Sequence, residues 1–427
     1  MNGPMDPVDR ALVEAVRRDR DQILERLSEL VAVPSLTGTE EDIQELIAAR
    51  MAADGLDVQR LAPDPTTVET DPDWPGSEVE RSSLPIVAGS LGGGRPGPRL
   101  LLVGHVDVVP PGDLGTWATD PFDPIVRDDD LYGRGACDMK GGLVSAWAAV
   151  RALAATVPAS DRCGEVVLLS VPSEEDGGQG ALAAIRAGFT GDACIIPEPT
   201  RLDIVTVHAG AITFQLTVPG RAAHASVRRE GVSALDVLNV LLTALREDEG
   251  RRNSAETQPL MRALGLPYPT IIGTVAGGDW ASTVMDRVVV EGRYGVRAGT
   301  TASEAESELR DVIAHACEAD PWLRDHPATL EITGGRFSSG QIAPEHDLPT
   351  SLADAAGAVR GRRPALIGVP YGADMRLFLN EGATPTVCFG PGDIRLAHSA
   401  NERVPLDEVV ECAAILAVWL RRRLHAS

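Results

Sequence analysis

Residues 100–107 read Leu100-Leu-Leu-Val-Gly-His105-Val-Asp107, and residues 131–142 read Leu131-Tyr-Gly-Arg-Gly-Ala-Cys-Asp138-Met-Lys-Gly-Gly142. An unbroken apolar run reads as a buried strand, here Leu100–Val109. Residues i and i+2 of a strand share a face, so His105 and Asp107 leave its end together. The second stretch is a glycine-rich turn that presents Asp138 at the start of a helix rich in small residues, Lys140–Ala155. Strand ends and helix starts are where α/β proteins place their chemistry. These two stretches therefore set both the expected fold and the first half of an expected site.

Working outward, Val166–Val171 and Ala193–Ile196 read as further buried strands. Residues 8–31 carry apolar side chains at helical spacing. Thr37 and Thr39 stand as capping residues for a second helix over 40–54, which Gly55 ends. Residues 62–97 are rich in Pro, Gly, Asp and Ser and read as a surface loop with one short strand, Ile86–Leu91. Strands alternating with helices predict an α/β fold with a mostly parallel sheet sandwiched by helices. After Glu198 the texture changes. Strands at Ile204–His208, Ile212–Val218, Thr270–Val275 and Arg287–Val296, with helices at Val232–Glu247 and Ala302–Glu318, form an α+β unit. The α/β pattern resumes with a helix over 350–360, a strand over 384–389 and a helix over 405–424, so the α+β unit is an insertion.

The formal net charge of −23 would repel nucleic acid and anionic membrane surfaces. The six cysteines, at 137, 163, 194, 317, 388 and 412, form no CxxC pair, which argues for reduced thiols in the cytoplasm. The first twenty residues are charged and lack the apolar core of a signal peptide, and no apolar run is long enough to span a membrane.

The candidate chemical residues are His105, Asp107, Asp138, Glu174, Glu175, Glu198 and His398. Glu174 and Glu175 lie in Ser170-Val-Pro-Ser-Glu174-Glu175-Asp176, just past a strand. Gathering acids at a strand end is costly unless a positive charge sits among them. Adjacent side chains point in different directions, so one of the pair can ligate a metal while the other serves as a general base. Asp138 can use both carboxylate oxygens to bridge two cations, and Asp107 can orient the His105 ring. Glu198 sits between Pro197 and Pro199, and His398 lies in a loop ahead of the last helix. Mixed nitrogen and oxygen ligation suits Zn²⁺, with Co²⁺ or Mn²⁺ as alternatives.

The order HxD, GRGxxDMKGG, Glu-Glu, Glu-Pro-Thr and a late Ala-His resembles the dinuclear zinc deacylase and exopeptidase family. That family includes acetylornithine deacetylase, succinyl-diaminopimelate desuccinylase, aminoacylases and a glutamate-releasing carboxypeptidase. The resemblance implies two Zn²⁺ per subunit, with His105 and Glu198 on one, Glu175 and His398 on the other, and Asp138 between them. It implies Glu174 as the proton carrier and a cis peptide after Asp138. It also implies a catalytic domain over 1–209 and 342–427 interrupted by a lid and dimerisation domain over 210–341, with Ala209-Gly210 in the hinge. His224 matches a lid histidine that stabilises the oxyanion, often across a homodimer. Ser282 and Met285 stand where many members carry a substrate-contacting Asn and a Pro, so the resemblance makes Ser282 a candidate substrate contact. Arg376, in Tyr371-Gly-Ala-Asp374-Met-Arg376, and Arg336 are candidates to grip a substrate carboxylate, with an ion pair to Asp374 the alternative for Arg376. The expected activity is removal of a small acyl group from an N-acyl amino acid or related amine, as in acetylornithine deacetylase. The enzymatic alternatives are a desuccinylase, a deacylase of an N-formyl or N-acyl aminopyrimidine, and a dipeptidase or carboxypeptidase. A non-catalytic small-molecule-binding relative is the alternative of another class.

Overall fold

The computed structural model describes residues 5–425. The central sheet has nine strands, built on Cys163–Val171, Arg95–His105, Ala193–Pro199 and Thr386–Gly390 running parallel. Antiparallel pairings flank this core: Ile86–Gly92 runs against it on one side, with Asp57–Leu61 antiparallel to Ile86–Gly92 beyond, and Ile204–His208 runs against it on the other side. The sheet is thus parallel at its centre and mixed overall. Residues 166–171 are buried without alternation, as expected where both faces are covered. The helices Gly141–Thr156 and Leu406–Leu424 pack together on the sheet, and Pro7–Arg18 packs against both. Strand order places the ends of Arg95–His105, Cys163–Val171 and Ala193–Pro199 side by side, which brings His105, Glu174, Glu175 and Glu198 to one edge.

Chain segments 210–337 form a second, four-stranded antiparallel sheet in the order Thr270–Gly277, Arg287–Val296, Gly210–Pro219, Thr329–Phe337. Ile212, Phe214, Leu216 and Val218 alternate inward against the helices Ala234–Ser254 and Ala302–Ala319, giving this unit its own core. Only Ala209 separates the central-sheet strand Ile204–His208 from Gly210.

Three local expectations are corrected. The periodic run 8–31 is two helices, Pro7–Arg18 and Arg20–Val31, broken at Asp19. The helix Glu41–Ala53 has no side-chain cap from Thr39, whose hydroxyl donates back to the Leu36 carbonyl at 2.9 Å. Glu40 precedes that helix, and its carboxylate turns inward to Arg81 (2.8 Å) and the Gly38 amide (2.9 Å). Asp138 stands ahead of its helix rather than at its start. It sits in a distorted turn with φ −118° and ψ 100°, and the regular helix begins at Gly141. Gly142 lets that helix press onto the neighbouring strand, since a Cβ there would lie 1.8 Å from the Pro197 carbonyl oxygen.

Candidate active site

His105 ends its strand almost fully buried, at 1% exposure. Its Nδ1–H donates to the main-chain oxygen of Asp107 at 3.0 Å, which turns Nε2 to Asp138 Oδ1 at 3.1 Å. The Asp107 carboxylate is farther from the ring, with Oδ1 at 3.6 Å. Its closer contacts are the main-chain amides of Glu174 and Glu175, which donate to Oδ1 and Oδ2 at 3.1 Å each. Asp107 therefore contacts the ring through its backbone and grips the Glu174–Glu175 peptide through its side chain.

The turn carrying Asp138 is pinned by a residue sequence reasoning missed. Glu402 Oε1 accepts from the amides of Cys137 (3.0 Å) and Asp138 (3.1 Å), while Oε2 accepts from buried Arg134 at 2.5 Å. The signal was present, since Glu402 closes the loop that carries His398. The Asp138–Met139 peptide is cis, as the resemblance implied.

Ser173, with φ 74°, turns the chain so that Glu174 and Glu175 diverge, and His398 itself has φ 58°. Left-handed backbone at non-glycine residues is a local strain that concentrates at functional sites. His398 Nε2 lies 3.0 Å from Glu175 Oε1 and 3.4 Å from Asp138 Oδ2. Glu198 Oε1 is buried with no hydrogen-bond partner among the described residues. Donor atoms of His105, Asp138 and Glu175 all lie within 4.8 Å of one another.

Burial pushes the Glu174 and Glu198 carboxyls well above the usual carboxylate range, with repulsion from nearby acids adding to it. Burial and repulsion from Asp138 push Glu175 up to about 7. Hydrogen bonds to Asp138 and Glu175 raise His398 to about 11. In Asp138 burial is outweighed by the hydrogen bonds from His105 and His398, which hold it below its ordinary value. So many acids forced together, with one carboxylate oxygen left unpartnered, fit a positive charge at their centre. This donor set suits divalent cations.

These groups line a cavity of about 380 Å³. Asp138, Glu174, Glu175, Glu198 and His398 form part of its wall, and Thr213, Arg293 and Phe337 of the second sheet contribute as well. The size suits a small molecule.

The structure does not bring the remaining candidates into this cavity. His224 is exposed, its ring bonded to Ser226, and Ser282 lies beside it on the surface of the second unit. Arg336 pairs with Glu306 at 2.8 Å. Arg376 is corrected outright. It is 1% exposed, donates to the carbonyls of Ala373 (2.9 Å) and Gly177, and lies 4.0 Å over the Phe337 ring. Its guanidinium is consumed by main-chain oxygens and offers no fork to a substrate. Nor is it hydrogen-bonded to Asp374, whose two carboxylate oxygens have no hydrogen-bond partner among the described residues.

Fold and donor set together define the class, a metal-dependent hydrolase of amide bonds. The model for Peptidase family M20/M25/M40 matches residues 101–422, and the chain belongs to that family. An acetylornithine deacetylase of Myxococcus xanthus is 31% identical over 354 residues, covering 79% of this chain and 83% of the relative. An N-formyl-4-amino-5-aminomethyl-2-methylpyrimidine deformylase of Halalkalibacterium halodurans is 26% identical over 351 residues, covering 76% and 79%. Among solved structures, an M20 family metallo-carboxypeptidase of Sulfolobus solfataricus superposes with a TM-score of 0.73 at 16% identity, covering 94% of this chain and 99% of that one. At that identity the likeness is one of fold.

Proposed function

We propose that this chain removes a small acyl group from the nitrogen of an amino acid or related amine, in the manner of an acetylornithine deacetylase. The observation that carries the reading is the convergence of His105, Asp138, Glu175 and His398 at 3.0–3.4 Å with Glu174 and Glu198 on the same cavity. His105 and Glu198 would hold one divalent cation, Glu175 and His398 a second, with Asp138 shared. Zn²⁺ suits the set, and Co²⁺ or Mn²⁺ would also fit. When bound, such ions polarise the amide carbonyl and lower the pKa of the attacking water.

Glu174 takes a proton from that water as its oxygen adds to the carbonyl carbon. It then gives the proton to the amine nitrogen as the C–N bond breaks. Asp107 fixes where Glu174 stands by binding its main-chain amide. The unit over 210–341 serves as lid and dimer-forming domain, and His224 donates a hydrogen bond to the oxyanion in the cavity of a second copy. The enzyme works in the cytoplasm, in keeping with its six free cysteines.

The deformylase relative favours a second reading, in which the acyl group is formyl and the amine a substituted pyrimidine. Assay of the zinc-loaded protein against Nα-acetyl-L-ornithine, an N-formyl aminomethylpyrimidine, N-succinyl-diaminopimelate and dipeptides separates these. Turnover of the acetyl substrate supports the first reading. Cleavage of dipeptides alone would overturn it.

A further inference from the structure

Apart from the catalytic groups, one acid reaches the cavity from a segment that the reaction does not require. Glu78 lies on the strap Pro75–Arg81, within the Pro- and Asp-rich loop, and lines the cavity. The strap is fixed at both ends. On one side Ser77 and Arg81 donate to Asp176 at 2.9 and 3.0 Å, and Arg81 also donates to Glu40 at 2.8 Å. The Arg81 and Asp176 side chains are only 1% and 3% exposed. On the other side the Arg336 amide donates to the Pro75 carbonyl at 2.6 Å. The strap thus ties the Glu174–Asp176 turn to the second sheet, with Glu78 between the two anchors.

Space has been made for that carboxylate. A Cβ on Gly334 would lie 2.6 Å from Glu78 Oε1, and Gly334 falls where the register of Thr329–Phe337 against its neighbour slips. Among the described residues the only group that donates to Glu78 is the neutral hydroxyl of Thr213, at 3.2 Å. Arg336, the cation on the adjoining strand, turns its guanidinium away to Glu306. Arg293 lines the same cavity but makes no ion pair with Glu78. Glu78 is exposed where it lines the cavity, on a strap anchored at both ends, and a carboxylate there with no cation among the described residues against it is a receptor for a ligand cation.

We propose that Glu78 is a specificity-determining residue that reads a cationic group on the amine half of the substrate. The substrate class is then an N-acylated amine bearing a second, positively charged nitrogen. This rests on the reading of the chain as an N-acyl amine hydrolase, and the test keeps the two apart. The zinc-loaded protein and its Glu78→Gln variant are assayed on Nα-acetyl-L-ornithine and on Nα-acetyl-L-norvaline, which lacks only the side-chain amine. Both proteins are also titrated calorimetrically with L-ornithine and L-norvaline, which needs no turnover.

The expected result is a preference of about 10- to 100-fold in kcat/KM for the cationic substrate, the range of a hydrogen bond to a charged group. Glu78→Gln should bring the ratio within about threefold of unity. A preference that survives Glu78→Gln, or none in the wild type in either experiment, overturns the proposal. Tighter binding of ornithine that depends on Glu78, with no hydrolysis of either acetyl compound, upholds Glu78 and removes the reaction instead. Hydrolysis of both compounds at equal rates, with equal binding, keeps the reaction and removes Glu78.

Discussion

Asp107→Asn is the perturbation whose outcome the structure specifies most fully. The wild-type carboxylate accepts one main-chain amide on each oxygen, from Glu174 and Glu175 at 3.1 Å each, and takes the Thr37 hydroxyl at 3.3 Å. It is completely buried, so water cannot replace any of these partners. An asparagine of the same shape keeps one accepting oxygen and turns an NH₂ group toward the other amide. One hydrogen bond to a charged group is lost, about 1.5–3 kcal/mol, and a buried N–H is left unpaired, about 1–3 kcal/mol. The sum, about 2.5–6 kcal/mol, is a large part of the margin of an ordinary domain. Because the amides sit in the protein, the loss should appear in metal-free protein as fully as in metal-loaded protein. Urea unfolding of both forms measures it, and kcat should fall by about 10²-fold as Glu174 loses its fixed position. Metal-free stability within about 0.5 kcal/mol of wild type would refute the assignment of the Asp107 side chain to those amides.

Glu174→Gln should retain bound metal and fold while kcat drops by about 10²–10⁴, measured by steady-state assay beside metal analysis. Gly142→Ala would set a methyl against the Pro197 carbonyl, so it should cost about 1–3 kcal/mol in urea unfolding and weaken metal binding through the adjoining Glu198. His208 is fully buried, and burial lowers its pKa from 6.5 to about 4. The unfolded chain therefore binds a proton that the folded chain refuses between those values. Stability is present above pH 6.5 and is lost as pH falls toward 4, by about 3 kcal/mol in total. A His208→Gln variant should show a correspondingly flatter acid limb in urea unfolding. His224→Ala should lower kcat by about 10²–10³ with metal content intact. Mixing it with Glu174→Gln should restore about a quarter of wild-type activity if the histidine serves a second copy.

The site was legible where its residues lie next to strong local signals. His105 follows an unbroken apolar strand, and Glu174, Glu175 and Glu198 follow others, so strand order alone gathers them. What was illegible depends on contacts between distant segments. The strand Thr329–Phe337 is interrupted by Gly334-Gly335, which hides its alternation and also admits Glu78. Asp57–Leu61 is a sheet edge with exposed polar side chains and carries no apolar pattern. Arg376 reads in sequence like a substrate-facing arginine because nothing local reveals that carbonyls 3 and 199 positions away occupy its guanidinium. Thr39 reads like a cap because the buried Arg81 that draws Glu40 inward lies 41 positions further on.

Metal content after zinc reconstitution and removal of excess ion decides whether these side chains hold a pair of divalent cations. Two tightly held ions per chain are expected in the wild type and in Glu174→Gln, with loss of metal when His105, Asp138 or His398 is replaced by alanine. A wild-type protein that holds no divalent ion, or one whose metal content is indifferent to those three side chains, would contradict that expectation.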